Sequence, residues 1–342
     1  MAQVVRRVAA LTSLGLCVAG CDRPPTGPAP ASGHDVRAIT VADWTPSGYA
    51  SAAGRAALED IASAGANTAV FVLTFYQDTR VSSDPGNLPG HTADPAAVRA
   101  AVRHAADLGL DAVLKLHVDV LDGAWRGLID PMDPEAWFAA YGRSATVWAE
   151  TSQEFGLPAF VLGTELATTM RHEVKWRALI EECREVYYGE ILYAASWDEA
   201  DVVPFWDALD AVGVDFYFPV ATRSNPSRIE LLAEWQPKLD ALERLCRRAG
   251  RDVWITEIGY PSRDGAGMYP ADYTRIAPVD LDEQADLYWA ALTATANETW
   301  VRGLCWWSWD VDRPGGPGDD GYTPRGKPAL DVLRNAWTVS GP

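Results

Sequence analysis

Two glutamates close apolar runs in matching fashion: Glu165 ends FVLGTE and Glu257 sits in VWITEI. A carboxylate after a Val/Leu/Ile run belongs at a strand terminus that looks into a pocket, since the apolar residues must be buried and an unpaired charge must not be. One such Glu is as readily an ion-paired rim residue. Two on separate strands are how parallel barrels build sites. Glycosidic bond cleavage needs such a pair: one carboxyl protonates the leaving oxygen while the other attacks, or guides water to, the anomeric carbon. A separation of roughly 5–5.5 Å gives retention and roughly 6.5–9.5 Å inversion, a distance that sequence spacing does not supply.

Other polar groups are placed to serve the pair. In DAVLKLHVD, Lys115, His117 and Asp119 alternate with Leu114, Leu116 and Val118, so one face meets helices while the other points into a barrel mouth. Asp215 and Tyr217 share a face of the run 211–218, where a Tyr hydroxyl can hydrogen-bond a nucleophilic carboxylate and keep it ionised. Among Trp306, Trp307 and Trp309 at least one is core, and Trp307 is the candidate sugar platform. Trp125 with Arg126, Trp197 and Tyr76 fall at strand ends or in the loops after them, balanced between packing and sugar contact; Trp44 is weaker. There is no HExxH, CxxC or glycine-rich phosphate loop, so neither a metal nor a nucleotide cofactor is indicated.

These residues need elements to hold them. Short apolar runs at 37–42, 67–74, 111–118, 158–164, 190–196, 211–218, 252–258 and 302–308 read as strands. Amphipathic stretches at 51–64, 95–108, 134–155, 173–188, 201–209, 227–249, 281–297 and 328–337 read as the helices between and after them. Eight such units without a glycine-rich turn after the first strand predict an α/β fold, a (β/α)8 TIM barrel, as one domain over 37–342. The loops 119–133, 259–280 and 309–327 then lie on the C-terminal face, where such barrels carry their sites. The last, with GGPGDDG, reads as a solvated connection rather than a rim.

Composition narrows the partners. The 342 residues carry 29 Lys+Arg against 47 Asp+Glu, a net charge of −18, which disfavours nucleic acid and anionic membrane surfaces. Fifteen Trp and twelve Tyr supply flat amphipathic rings suited to the apolar faces of sugars, so a neutral poly- or oligosaccharide fits best. Arg6 and Arg7 precede a short apolar run, so residues 1–20 read as an export signal. Val18-Ala19-Gly20-Cys21 resembles the bacterial lipobox, implying cleavage before Cys21 and a membrane anchor through a lipid on its sulfur; an ordinary signal with an incidental cysteine is the alternative. Asp22 resembles an inner-membrane retention signal of some Gram-negative bacteria. Residues 21–36, rich in Pro, Gly and Ala, read as a flexible tether. Beyond Cys17 and Cys21 the odd set Cys183, Cys246 and Cys305 excludes a fully paired disulfide framework and suits buried thiols in a monomer.

In order along the chain, TFYQD (74–78), LKLHVDVLDGAWRG (114–127), LGTEL (162–166), AASWDEADVVPFWDALDAVGVDFYFP (194–219), TEIGYPSR (256–263) and WWSWD (306–310) resemble glycoside hydrolase family 113 and its relatives in the retaining clan A. The resemblance implies Glu165 as general acid/base, Glu257 as nucleophile, and endo-β-1,4-mannanase activity by double displacement. In that clan Asn usually precedes the acid/base; here Thr164 stands there with a shorter hydroxyl, a departure at a position that contacts the sugar 2-OH. Glucan, xylan or exo-acting mannoside cleavage, and a surface carbohydrate-binding or scaffold protein on the same barrel, are the competing expectations.

Overall fold

The structure, a computed structural model, describes Gly27 and residues 33–338; the export signal, Cys21 and most of the tether lie outside the described residues. Eight parallel strands close into a barrel in chain order: β1 Val36–Ala42, β2 Thr68–Gln77, β3 Asp111–Val120, β4 Ala159–Thr164, β5 Glu190–Ser196, β6 Val212–Asp215, β7 Val253–Ile258 and β8 Val301–Asp310. Around them run α1 Ala52–Ser63, α2 Pro95–Asp107, α3 Pro134–Glu154, α4 Glu173–Val186, α5 Arg228–Ala249, α6 Leu281–Thr295 and α7 Pro328–Thr338.

The helices start where the sequence caps them. The Ser51 hydroxyl accepts from Gly54 N–H, Asp133 from Ala136 N–H ahead of Pro134, and Ser227 with Glu230 forms a reciprocal capping box. The helix expected over 201–209 is instead two 3-10 turns, Ala200–Val202 and Trp206–Ala208. Pro204 lies between them and breaks so short a stretch.

Two strand limits matter for the site. β2 and β3 run longer than their apolar cores and pair residue by residue out to Gln77 and Val120, which carries His117 and Asp119 up to the mouth. β6 stops at Asp215 rather than continuing to 218. Its register with β7 slips there, from Val214 opposite Ile255 to Asp215 opposite Glu257. Phe216 N–H makes the last bond of this ladder, to the Glu257 carbonyl at 2.6 Å; Tyr217 N–H then turns back to the Asp215 carbonyl at 3.2 Å, which places Tyr217 over Glu257.

The core has two layers. Outside the barrel, aromatic side chains mesh between strands and helices: Trp176 stacks on Phe205 at 5.6 Å and meets Tyr193 edge-on at 5.3 Å. Inside, small and branched residues including Ala38, Val70, Val113, Leu192, Ala194 and Cys305 fill the barrel around Trp254. Cys183, Cys246 and Cys305 are free and buried. No helix among the described residues is long and apolar enough to cross a membrane.

The end of the expected tether is already part of the fold. His34 is buried with Nε2 at 3.1 Å from the Thr295 carbonyl, and β1 begins at Val36, so residues 33–36 are docked rather than free.

Close packing between β5 and β6 leaves no room for a side chain at Gly213, where a Cβ would sit 2.3 Å from the Tyr193 carbonyl oxygen. Gly213→Ala should therefore destabilise the fold by about 1–3 kcal/mol, read as a lower urea midpoint with an unchanged slope.

Candidate active site

Lys115, fully buried on the inward face of β3, organises the floor of the barrel mouth. Its Nζ donates to Glu257 Oε1 at 2.6 Å, to Asp215 Oδ1 at 2.9 Å and to the Thr256 carbonyl at 3.3 Å. The Thr256 hydroxyl also donates to Asp215 Oδ1, at 2.8 Å, while Asp215 Oδ2 finds no partner. Above, the Tyr217 hydroxyl donates to Glu257 Oε2 at 2.9 Å. Each Glu257 oxygen thus has a donor of its own.

His117 stands two residues on along the same face. Its Nδ1 lies 2.7 Å from Arg126 Nη1, and since a guanidinium only donates, Nδ1 must accept and the proton sits on Nε2. That Nε2–H faces Glu257 Oε1 at 3.4 Å, a contact too loose for a hydrogen bond. Burial and the neighbouring Arg126 cation push His117 down to about 4, so it stays neutral through ordinary pH. Arg126 Nη2 also donates to Asp119 Oδ1 at 2.6 Å. Trp307 stacks parallel to the His117 ring with centroids 6.0 Å apart.

Glu165 follows β4 in a left-handed conformation with φ of 51°, which costs a residue with a Cβ about 1–3 kcal/mol. Two bonds hold it there: Glu165 N–H donates to the Ala194 carbonyl at 2.7 Å, and Leu166 N–H to the Tyr193 hydroxyl at 2.9 Å. Its Oε2 accepts from Trp125 Nε1 at 3.2 Å.

The two glutamates sit in opposed environments. Burial alone would raise Glu257, but the Lys115 cation with its short hydrogen bond, and the His117 ring that faces the carboxyl, hold it well below the usual range. Burial raises Glu165 and outweighs the Arg126 cation, and the Glu257 charge pushes the same way. Asp215 is also raised, by burial and by Glu257. One buried cation thus meets two carboxyls, with Glu257 favoured as the anion and Asp215 pushed toward its neutral form.

Both glutamates open into one cleft of about 870 Å³. The sequence profile of glycoside hydrolase family 113 matches residues 43–327. The chain belongs to glycoside hydrolase family 113. Among solved structures, two of a family 113 β-1,4-mannanase, one of them a complex, superpose with a TM-score of 0.82 at 26% identity; they cover 89% of this chain and 98–99% of theirs. The family 113 β-mannanase of Alicyclobacillus acidocaldarius, in complex with ManMIm, gives the same score and identity over 89% and 97%. A β-glucuronidase of Faecalibacterium prausnitzii, at 12% identity and TM-score 0.61, shares the fold over half of its own length. No curated protein sequence matches the chain.

The family 113 hydrolase brings most of the singled-out residues to this cleft: His117, Asp119, Trp125, Glu165, Trp197, Tyr217, Glu257 and Trp307 line it. Four do not reach it. Lys115 and Asp215 lie fully buried beneath Glu257 and act through it. Thr164 is fully buried and donates its hydroxyl to the Leu116 carbonyl at 2.9 Å, so it does not replace the clan's Asn as a sugar contact. Tyr76 packs edge-on against His91 at 6.0 Å, behind Asp119 and Arg126.

The loop 309–327 is corrected from solvated connection to cleft wall. It contributes Asp310, Arg313 and Tyr322, the last edge-on to Tyr217 at 6.4 Å. Buried Lys327 straps it to the loop after β7, donating to Ser262 Oγ at 2.8 Å, Asp319 Oδ1 at 2.7 Å and the Gly321 carbonyl at 2.9 Å. Tyr273 and Arg263 of the loop after β7 were also missed, since long-range bonds of this kind leave no local sequence pattern. Among the described residues, Asp264, Asp280 and Glu283 are the carboxylates close enough to share a cation; they lie outside the cleft, and Glu283 already accepts from the N–H groups of Gly265 and Gly267.

Lys115→Met should raise the Glu257 carboxyl toward or above the usual range and destabilise the fold by about 3–5 kcal/mol, because it strands a buried carboxylate. Carboxyl-carbon NMR titration and urea unfolding read the two effects; an unmoved Glu257 would refute the role given to the lysine.

Proposed function

We propose that this glycoside hydrolase cleaves β-1,4-linked mannan or manno-oligosaccharides with retention, by double displacement. Glu165, kept protonated, donates its proton to the glycosidic oxygen as a Glu257 carboxylate oxygen bonds to the anomeric carbon and the leaving sugar departs. Glu165, now ionised, takes a proton from water, whose oxygen attacks the anomeric carbon and releases Glu257. The observation that carries this reading is the pairing, in one open cleft, of a carboxyl whose lysine and tyrosine donors favour its charged form with another whose burial favours its neutral form. Trp125, Trp197 and Trp307 along the walls suit pyranose faces. The β-1,4-mannanases at 26% identity support mannan over glucan or xylan.

The sign of each shift fixes the pH profile. Activity needs Glu257 ionised and Glu165 protonated. The acid limb should therefore fall below the usual carboxylate range and the alkaline limb above it. The test is product formation by residues 22–342 on mannan, glucan and xylan oligosaccharides, with the first anomer followed by NMR. Mannan should be cut to β-configured product, Glu257→Ala should be inactive, and Glu165→Gln should lose about 10²–10⁴-fold. Cleavage of another glycan would replace the substrate. A folded protein that binds a glycan and cleaves none would leave a binding module.

Export, a Cys21 lipid anchor and a monomeric state are proposed on the sequence alone. Metabolic labelling with palmitate, lost in Cys21→Ser together with membrane retention, tests the anchor; the light-scattering mass of residues 22–342 tests the monomer.

A further inference from the structure

Adjacent residues in the loop after β3 reach both carboxyls. Trp125 donates its indole N–H to Glu165 Oε2, while Arg126 donates to His117 Nδ1 and Asp119 Oδ1, and His117 in turn faces Glu257. The pair opens a 3-10 turn, Arg126–Leu128, closed by Leu128 N–H on the Trp125 carbonyl at 2.9 Å. The Trp125 ring lies over Gly127, where a Cβ would sit 2.4 Å from it, so the backbone beneath the indole must be glycine. The Gly127 carbonyl accepts from Thr168 Oγ1 at 2.8 Å, tying the turn to the segment that follows Glu165.

We propose that the Trp125–Arg126 dipeptide is a positioning element that governs both glutamates from one turn: Trp125 bonds Glu165 directly, and Arg126 fixes His117 in the neutral Nε2–H form that faces Glu257. It rests on the hydrolytic reading above and adds how the two carboxyls are kept in step. The indole N–H favours the Glu165 carboxylate, the form that proton donation leaves at the end of the first step and in which Glu165 must stand to act as base in the second. In the covalent intermediate Glu257 is an ester without charge, so of the two influences that raise Glu165, burial and the Glu257 charge, only burial remains. Trp125 then faces the carboxylate it prefers. Arg126 has the complementary role: a protonated His117 would place a second cation beside Lys115 on the same Glu257 oxygen and blunt its nucleophilicity. With Nδ1 already accepting from a guanidinium, that proton has nowhere to bind.

The groups facing Glu165 are Trp125, Arg126, Glu257 and Lys115; those facing His117 are Arg126, Glu257, Lys115 and the Trp307 ring. The variants therefore separate. Trp125→Phe keeps the ring and removes only the N–H. It should move the alkaline limb of kcat/KM up by about half a pH unit to one unit. On an activated aryl mannoside, where the second step limits turnover, it should lower kcat. A ring that merely packs, or merely binds sugar, would change KM and leave the limb in place.

Arg126→Met should let His117 titrate about one unit higher by imidazole nitrogen NMR, bring a new acid limb at that pH, and lower kcat by about 10²-fold with KM nearly held. Arg126→Lys should restore part of kcat, and it serves if the Met variant does not fold.

Carboxyl-carbon titration of Glu165 in wild type and Trp125→Phe needs no turnover, which separates failure of this inference from failure of the hydrolytic one. A Glu165 titration and alkaline limb unmoved in Trp125→Phe, or a His117 titration unmoved in Arg126→Met, overturns the proposal whatever the substrate proves to be.

Discussion

Beneath the cleft floor the Lys115 ammonium is enclosed by three acceptors: Glu257, Asp215 and the Thr256 carbonyl. A cation so placed is expelled or neutralised unless anions meet it, and two carboxyls meet this one. A single positive charge in a low-dielectric interior supports one of them as an anion. The shorter lysine contact and the Tyr217 hydroxyl favour Glu257 for that state, while burial and the Glu257 charge push Asp215, with one oxygen unpartnered, toward its neutral form. The Glu257 anion then biases Glu165 the other way. Two oppositely poised carboxyls thus follow from the ion pair beneath Glu257 and the burial of Glu165, with the Glu257 charge adding to the latter.

The strands bring these groups together, and the loops decide what can lie on them. The slip between β6 and β7 lets Tyr217 bend back over Glu257, and the strap through Lys327 fixes Tyr322 against Tyr217. The wall of the cleft and the donor on the nucleophile are therefore mechanically linked. A disturbance at the strap reaches Glu257 through two aromatic rings.

Much of this was legible in the chain. Eight short apolar runs alternating with period-3.6 stretches, with no glycine-rich turn after the first, point to a barrel whose strands are buried on both faces, and a glutamate after FVLGT or VWIT suits a strand end. Alternation within β3 put Lys115 and His117 on the inner face. It could not name their partners, which lie 100 and 142 residues away for Lys115. Local pattern also failed where a short-range choice was overruled. Thr164 turns its hydroxyl to a neighbouring strand's carbonyl, Pro204 splits a helix into turns, and the chain turns out of its ladder at Tyr217. The loop 309–327 reads as glycine-rich punctuation, because what makes it a wall is the buried Lys327 ammonium, whose bonds to Asp319, Gly321 and distant Ser262 follow no periodic pattern.

Glu165 occupies a backbone conformation that glycine adopts freely and glutamate does not. The position the chemistry requires is one at which the fold alone would favour the smallest residue. Mutational drift toward a more stable protein therefore pulls directly against activity here, and only selection for turnover holds a carboxyl in place. A barrel of this lineage that lost its substrate would be expected to shed its acid first and keep its shape.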